Sequence, residues 1–295
     1  MSRTSDVYAK VFDKVVAAME EGSAPWIRPW TGGPAMPYNA VTGRPYSGGN
    51  VVALWAAGMA YTSNGWLTFR QAISAGCVVK EGEKGTPVYF MSQATSKKEA
   101  EEEGERGKYF FAKAFVVFNV EQLTDIEAGA VATLRAKHER PSTRSHFERL
   151  EEAEYIARGT GADIRHGGNS ACYVPSLDIV KMPEAEHFAS RDGYYSTLFH
   201  ELTHWTGAEK RLNRLTPARF GSADYAFEEL VAELGGAFIC GQLGLENIGQ
   251  SAAYLKGWAR ACREMPDLFP RAASYAQRAA NLITGERAAP VEVAA

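Results

Sequence analysis

The sequence predicts an α+β protein of two domains, and three observations carry that reading. The first half opens on an amphipathic helix and then reads as two β-strands facing each other across a charged excursion. The second half sets short β runs ahead of an apolar helix that carries a histidine pair. Between them, residues 121–144 hold few strand signals. The boundaries are therefore placed at 1–125 for the N-terminal domain, 126–144 for the connection and 145–295 for the C-terminal domain. With 295 residues, 45% of them hydrophobic and 23% charged, there is apolar material for two ordinary cores.

Val7, Val11, Val15 and Met19 recur at helical spacing, with Tyr8, Phe12 and Val16 beside them, and the run stops before Gly22. Residues 24–30 form a proline-broken aromatic loop, and 39–50, with Gly43, Gly48 and Gly49, is rich in turns. Helices are expected over 51–60 and 68–75, a turn at 82–85, and strands over 86–92 and 109–120. Residues 97–107 carry Glu99, Glu101, Glu102, Glu103 and Glu105 and read as a solvated excursion between the strands. Beyond the connection a helix is expected around 147–158. Short strands near 171–174 and 178–182 follow, broken by Gly167, Gly168 and Pro175; an edge strand of such a sheet can hold an extended chain by main-chain hydrogen bonds. The next helix, 192–206, has Leu198, Phe199 and Leu202 along it, and Gly207 stands where a left-handed cap is expected. A further helix carries the stripe Phe227, Leu230, Leu234 and Phe238. The tail from 286 is expected to fray.

His200-Glu201-Leu202-Thr203-His204 is an HExxH motif. Four residues are about one helical turn, so both imidazoles leave one face and can share an ion. Glu201 lies roughly 100° around the helix, where it can reach a water on the metal and act as general base. A catalytic site of this kind takes a third protein ligand. The metzincin pattern would put a histidine at position 210, which here is Lys210. The alternative is the downstream helix, in which Glu229 and Glu233 share a face. Glu229 is read as the ligand, Glu233 as a carboxylate accepting the N–H of a ligating histidine, and Glu228 as projecting to a different side. The set then resembles the gluzincin branch of the zincin metallopeptidases. One divalent ion is expected, Zn2+ by ligand type, with Mn2+ also able to occupy the site. An oxyanion donor is expected as well; Tyr194, Tyr195 and Tyr225 lie nearby in sequence, each read as structural.

Net charge is −3, which excludes a generally basic nucleic-acid binder, but residues 1–96 carry +2. Trp26, Trp30, Tyr38, Tyr46, Trp55, Trp66 and Phe69 are interleaved there with Arg28, Arg44, Arg70, Lys80 and Lys84. Rings that stack on bases beside cations that track phosphate suit single-strand binding; Trp55, inside an apolar helix, is assigned to the core. Cys77, Cys172, Cys240 and Cys262 form no CxxC pair and read as reduced thiols. No apolar run approaches a membrane span, and the N-terminus lacks a signal-peptide core. A cytoplasmic monomer with no membrane contact is expected.

The segments 39–50 (NAVTGRPYSGGN), 66–72 (WLTFRQA) and 79–85 (VKEGEKG) resemble the N-terminal domain of ArdC-type plasmid antirestriction proteins and the related plasmid primase segment. Residues 195–201 (YSTLFHE) resemble that family's active-site helix. The resemblance implies a conjugative-plasmid protein that protects incoming DNA from restriction, with an N-terminal domain that binds single-stranded DNA; the interleaved aromatics and cations make Trp26, Arg28, Trp30, Tyr38, Arg44, Tyr46, Trp66, Arg70, Lys80 and Lys84 the candidate contacts. Double-stranded DNA and a restriction enzyme are further partners it admits. Two other assignments fit the same residues: a DNA-occluding protein whose metal site is structural or vestigial, and a dedicated metallopeptidase whose aromatic half recognises protein.

Overall fold

The computed structural model describes residues 3–27, 36–95, 108–138, 145–216, 222–247 and 252–286. In chain order the first half runs α1 (Arg3–Glu20), β1 (Tyr38–Asn39), α2 (Gly49–Ala57), β2 (Gly65–Thr68), α3 (Phe69–Ser74), β3 (Cys77–Val79), β4 (Thr86–Thr95), β5 (Lys108–Asn119), β6 (Leu123–Asp125) and α4 (Ala130–His138). The second runs α5 (His146–Gly159), β7 (Asp163–His166), β8 (Cys172–Val174), β9 (Ile179–Met182), α6 (Arg191–Thr206), α7 (Ala223–Leu243), α8 (Ala252–Glu264) and α9 (Leu268–Thr284). This is the α+β class the pattern predicts.

The long strands β4 and β5 pair antiparallel, Val88 opposite Phe115, inside a sheet ordered β1-β2-β5-β4. The acidic run 97–107 between them lies outside the described residues. The second half has a three-stranded sheet, β7-β9-β8, in which β8 is an edge strand. The stretch in which few strand signals are read holds β6 and, over its described residues, α4. β6 pairs with β3, Val78 opposite Thr124, and Lys137 of α4 donates to the Val41 carbonyl at 2.8 Å. Three-residue strands carry too few side chains to show a period, which is why they do not announce themselves in sequence.

One large core joins the two halves. Phe12 of α1 meets Phe269 of α9 with ring centroids 5.0 Å apart, and Trp55 of α2 meets Phe238 of α7 at 6.0 Å. A smaller cluster around Leu67, Cys77, Leu123 and Leu134 lies under β3 and β6. All four cysteines are free, and burial pushes the Cys262 thiol up to about 12. No described helix is long and apolar enough to cross a membrane.

The packing that positions the site is between α6 and α7. A Cβ built on Gly235 would lie 2.6 Å from Oγ1 and Cγ2 of the buried Thr203, and one on Gly236 would lie 3.3 Å from the His200 backbone nitrogen. Two adjacent glycines thus let α7 press against the backbone of α6. At Gly207 the structure corrects the expected left-handed cap. Its φ is −77°, and glycine is required there because a Cβ would sit 2.8 Å from Leu215 and 2.9 Å from Arg214.

Gly235→Ala should therefore destabilise the protein. The overpacking, on the order of 1–3 kcal/mol, outweighs the gain of about 1 kcal/mol in helix propensity. Urea unfolding should show the loss shrinking in a Thr203→Ala background, where both close atoms are gone; an unchanged loss would mean that the contact with Thr203 does not set the helix spacing.

Candidate metal centre

Ser190 caps α6 by accepting the Gly193 N–H, and Ser222 caps α7 by accepting the Tyr225 N–H. Each cap satisfies an otherwise orphaned donor and fixes where its helix begins. From these starts the helical repeat brings His200, His204 and Glu229 together, with one ligand atom from each lying within 4.8 Å of the others. His200 Nε2 stands 3.8 Å from Glu229 Oε2, and His204 Nε2 stands 3.7 Å from Glu229 Oε1. These gaps are too long for hydrogen bonds. They sit close to the separation of about 3.3 Å between donors that share a tetrahedral ion with bonds of about 2.0–2.1 Å.

The other ring nitrogens are already committed. His204 Nδ1 donates to Glu228 Oε1 at 2.9 Å, and His200 Nδ1 faces Glu233 Oε2 at 3.5 Å. An ionised carboxylate only accepts, so each Nδ1 carries the proton and each Nε2 keeps its lone pair toward Glu229. Burial acts most strongly on His200 and lowers its pKa, but the hydrogen bond and charge of Glu233, with Glu201 and Glu229, together raise it above the ordinary imidazole value. The donor set, two neutral imidazoles and one carboxylate, fits a divalent ion of the zinc type.

Glu228 does not project away as the helical wheel implies; it is the partner of His204. The residue that makes this possible is Arg214, which the sequence did not single out. Its guanidinium, 3% exposed, clasps Glu228 through Nε at 2.7 Å and Nη2 at 2.9 Å and donates to the Thr203 carbonyl at 2.8 Å. Burial pushes the Glu228 carboxyl up, but the bonds from Arg214 and His204 outweigh it and hold it below the usual range. The segment between the two helices also holds Lys210, Arg211 and Arg219, so nothing in its sequence marks Arg214 out.

Glu201 is 8% exposed and accepts the backbone N–H of Tyr173, on edge strand β8, through Oε2 at 2.8 Å. Strand β8 is itself held. Asp178 accepts from Arg211, Lys210 and the Tyr173 hydroxyl, while Arg211 lies 3.9 Å over the ring of Trp205. Of the three tyrosines near the motif, Tyr194 bonds His166 at 2.8 Å and Tyr195 donates to Glu154 at 2.9 Å. Tyr225 bonds Glu229; burial first, then that carboxylate, pushes its phenol up to about 12.

The aromatic residues proposed for DNA contact fall in different places. Trp26, Trp66 and Tyr46 are buried, so in this conformation their faces are not available for stacking. Arg28 and Trp30 lie outside the described residues. Tyr38 is half-buried, and Arg44 and Arg70 are exposed around the Asn39–Gln71 side-chain hydrogen bond. Lys80 and Lys84, also exposed, flank Gln122. Phe69, beside Arg70, is 51% exposed.

Replacing Arg214 by Leu leaves Glu228 largely buried with no cation, and it should cost about 3–5 kcal/mol of unfolding free energy, read from denaturant titration; a cost below about 1 kcal/mol would show that Glu228 finds other partners. Asp178 holds its proton more weakly than an ordinary aspartate, chiefly because Arg211 bonds it. Its stabilisation is therefore present above about pH 4 and is lost as pH falls through the depressed folded value. The stability gap between wild type and Asp178→Asn should narrow on acidification, and a gap that widens would contradict the assignment.

Residues 5–118 match the family model for the N-terminal domain of anti-restriction factor ArdC, and residues 151–275 match a zincin-like metallopeptidase model. The metal-free crystal structure of the antirestriction ArdC protein from plasmid R388 is similar with a TM-score of 0.76 at 37% identity, covering 95% of this chain and 97% of that one. The Mn(II)-bound structure of the same protein gives 0.74 at 36% identity, with the same coverage of 95% and 97%. An uncharacterised protein, y4eC of Sinorhizobium fredii, is 36% identical over 94% of this chain and 91% of its own length. A DNA primase TraC of Escherichia coli is 34% identical over 94% of this chain, which spans only 27% of that primase. With both halves matched in order and close relatives aligned along nearly their whole length, the chain belongs to the ArdC-type antirestriction family.

Proposed function

We propose that this protein protects incoming plasmid DNA from restriction in the recipient cytoplasm, binding single-stranded DNA through its N-terminal half and carrying a metal-dependent peptidase-like centre in its C-terminal half. The observation that supports an active rather than vestigial centre is the convergence of both Nε2 atoms on Glu229 while each Nδ1 is held by its own carboxylate. His200, His204 and Glu229 would hold the ion and Glu201 would be the base. The chemistry a divalent ion held there would supply is polarisation of a carbonyl and acidification of a bound water. Glu201, tethered at Oε2 by the Tyr173 N–H, keeps Oε1 to take a proton from water and pass it to a leaving nitrogen. The edge of β8 beside it offers main-chain groups to an extended chain. On the N-terminal half, Arg44, Arg70, Lys80 and Lys84 supply the exposed cations that DNA binding requires.

One set of measurements tests both parts. The wild type should bind one equivalent of Zn2+ or Mn2+, and His204→Ala and Glu229→Ala should lose it. Glu201→Gln should keep the metal and its affinity for a labelled single-stranded oligonucleotide while losing any peptide hydrolysis. In a mating assay, loss of protection in Glu201→Gln assigns antirestriction to proteolysis; retained protection assigns it to occlusion of DNA. Full metal retention by both ligand variants would dispose of the proposed ligand set.

A further inference from the structure

Trp26 stands out because it is buried, comes from the N-terminal half, and yet touches the metal centre. Its Nε1 donates to Glu233 Oε1 at 3.3 Å across 207 residues of sequence, while the other oxygen of Glu233 faces His200 Nδ1 at 3.5 Å. Glu233 is only 4% exposed, so water cannot readily replace a lost donor, and a buried carboxylate oxygen without a donor is costly. The indole is held in place by the core: it is 2% exposed, with its ring 6.3 Å from that of Phe269 on α9. Such a donor fixes the rotation of the Glu233 carboxylate, and with it the ring that Glu233 holds.

We propose that Trp26 is a positioning residue of the metal centre: its indole N–H anchors Glu233, which in turn fixes the orientation and tautomer of His200. The N-terminal half then does more than carry the family's first domain, since it supplies an outer hydrogen bond to the centre built by the second. This rests on the reading that His200, His204 and Glu229 hold a divalent ion.

The test is a double-mutant cycle on Zn2+ affinity, measured in the full-length protein by competition with a chromophoric chelator. Trp26→Phe keeps a ring in the core and removes the N–H. It should weaken Zn2+ binding several-fold, short of the 10–100-fold loss typical when a partner bonded directly to a ligand is removed. Glu233→Gln should weaken binding more, and adding Trp26→Phe to it should cost nothing further, because the relay is already broken. Unchanged affinity in Trp26→Phe overturns the proposal. So does an equal loss in both backgrounds, the mark of general packing. If Trp26→Phe does not fold, 15N spectra of the wild type and Glu233→Gln decide instead. One of the six tryptophan indole N–H signals should shift between the two proteins and move on Zn2+ addition; no such signal overturns the assignment. Failure of the underlying reading shows separately, as a wild type that binds no stoichiometric Zn2+ or a His204→Ala variant that binds it unchanged.

Discussion

Everything in the centre depends on how closely α7 can approach α6. Gly235 and Gly236 remove the two side chains that would hold the helices apart, and Thr203 and the His200 backbone occupy the space they leave. Helices with ordinary side chains at a crossing stand 8–10 Å apart. Glu229 faces both imidazoles, at 3.7 and 3.8 Å, from the α7 that this approach places against α6. The glycines cost helix propensity, about 1 kcal/mol each, and the fully buried stretch from Leu230 to Ile239 offsets that cost through burial against α6 and α9.

With the approach fixed, three glutamates on one helix take three jobs. Glu229 lies between the two Nε2 atoms, Glu233 backs His200 one turn further along, and Glu228 backs His204. The histidines alone would not settle their tautomers, because a neutral imidazole can carry its proton on either nitrogen. A carboxylate at each Nδ1 does settle them. Arg214 keeps Glu228 ionised, and Trp26 lends a donor to Glu233. The centre is therefore assembled from α6, α7, the loop after α6 and a residue of the N-terminal half.

The motif on α6 was legible because its information is local: a spacing of four residues on a helix determines which side chains share a face, whatever the rest of the chain does. Glu229 and Glu233 followed from the same rule. Glu228 did not, since a helical wheel orders side chains about their own axis and says nothing of the angle at which a second helix crosses. Trp26 illustrates a different limit. An aromatic residue among cations has the composition of a stacking surface and of a core alike, and only tertiary packing shows that Trp26, Trp66 and Tyr46 are inside. Gly207 was correctly marked as a special position for the wrong reason, because sequence does not distinguish a glycine required for a left-handed φ from one required for a close contact.

The electrostatics of the centre favour a cation on grounds independent of ligand geometry. Glu201, Glu228, Glu229 and Glu233 are four carboxylates, each at most 18% exposed, in one small volume, and Arg214 is the guanidinium that clasps one of them. Like charges gathered in one place repel one another, so such a cluster favours the arrival of positive charge. Protonating an imidazole supplies one charge, and the raised pKa of His200 is that tendency. A divalent ion supplies two, at the point where both Nε2 lone pairs and Glu229 already converge. Protons and metal thus compete for the same nitrogens. The core that the centre shares with α1 and α2 ties its helices to both halves of the chain.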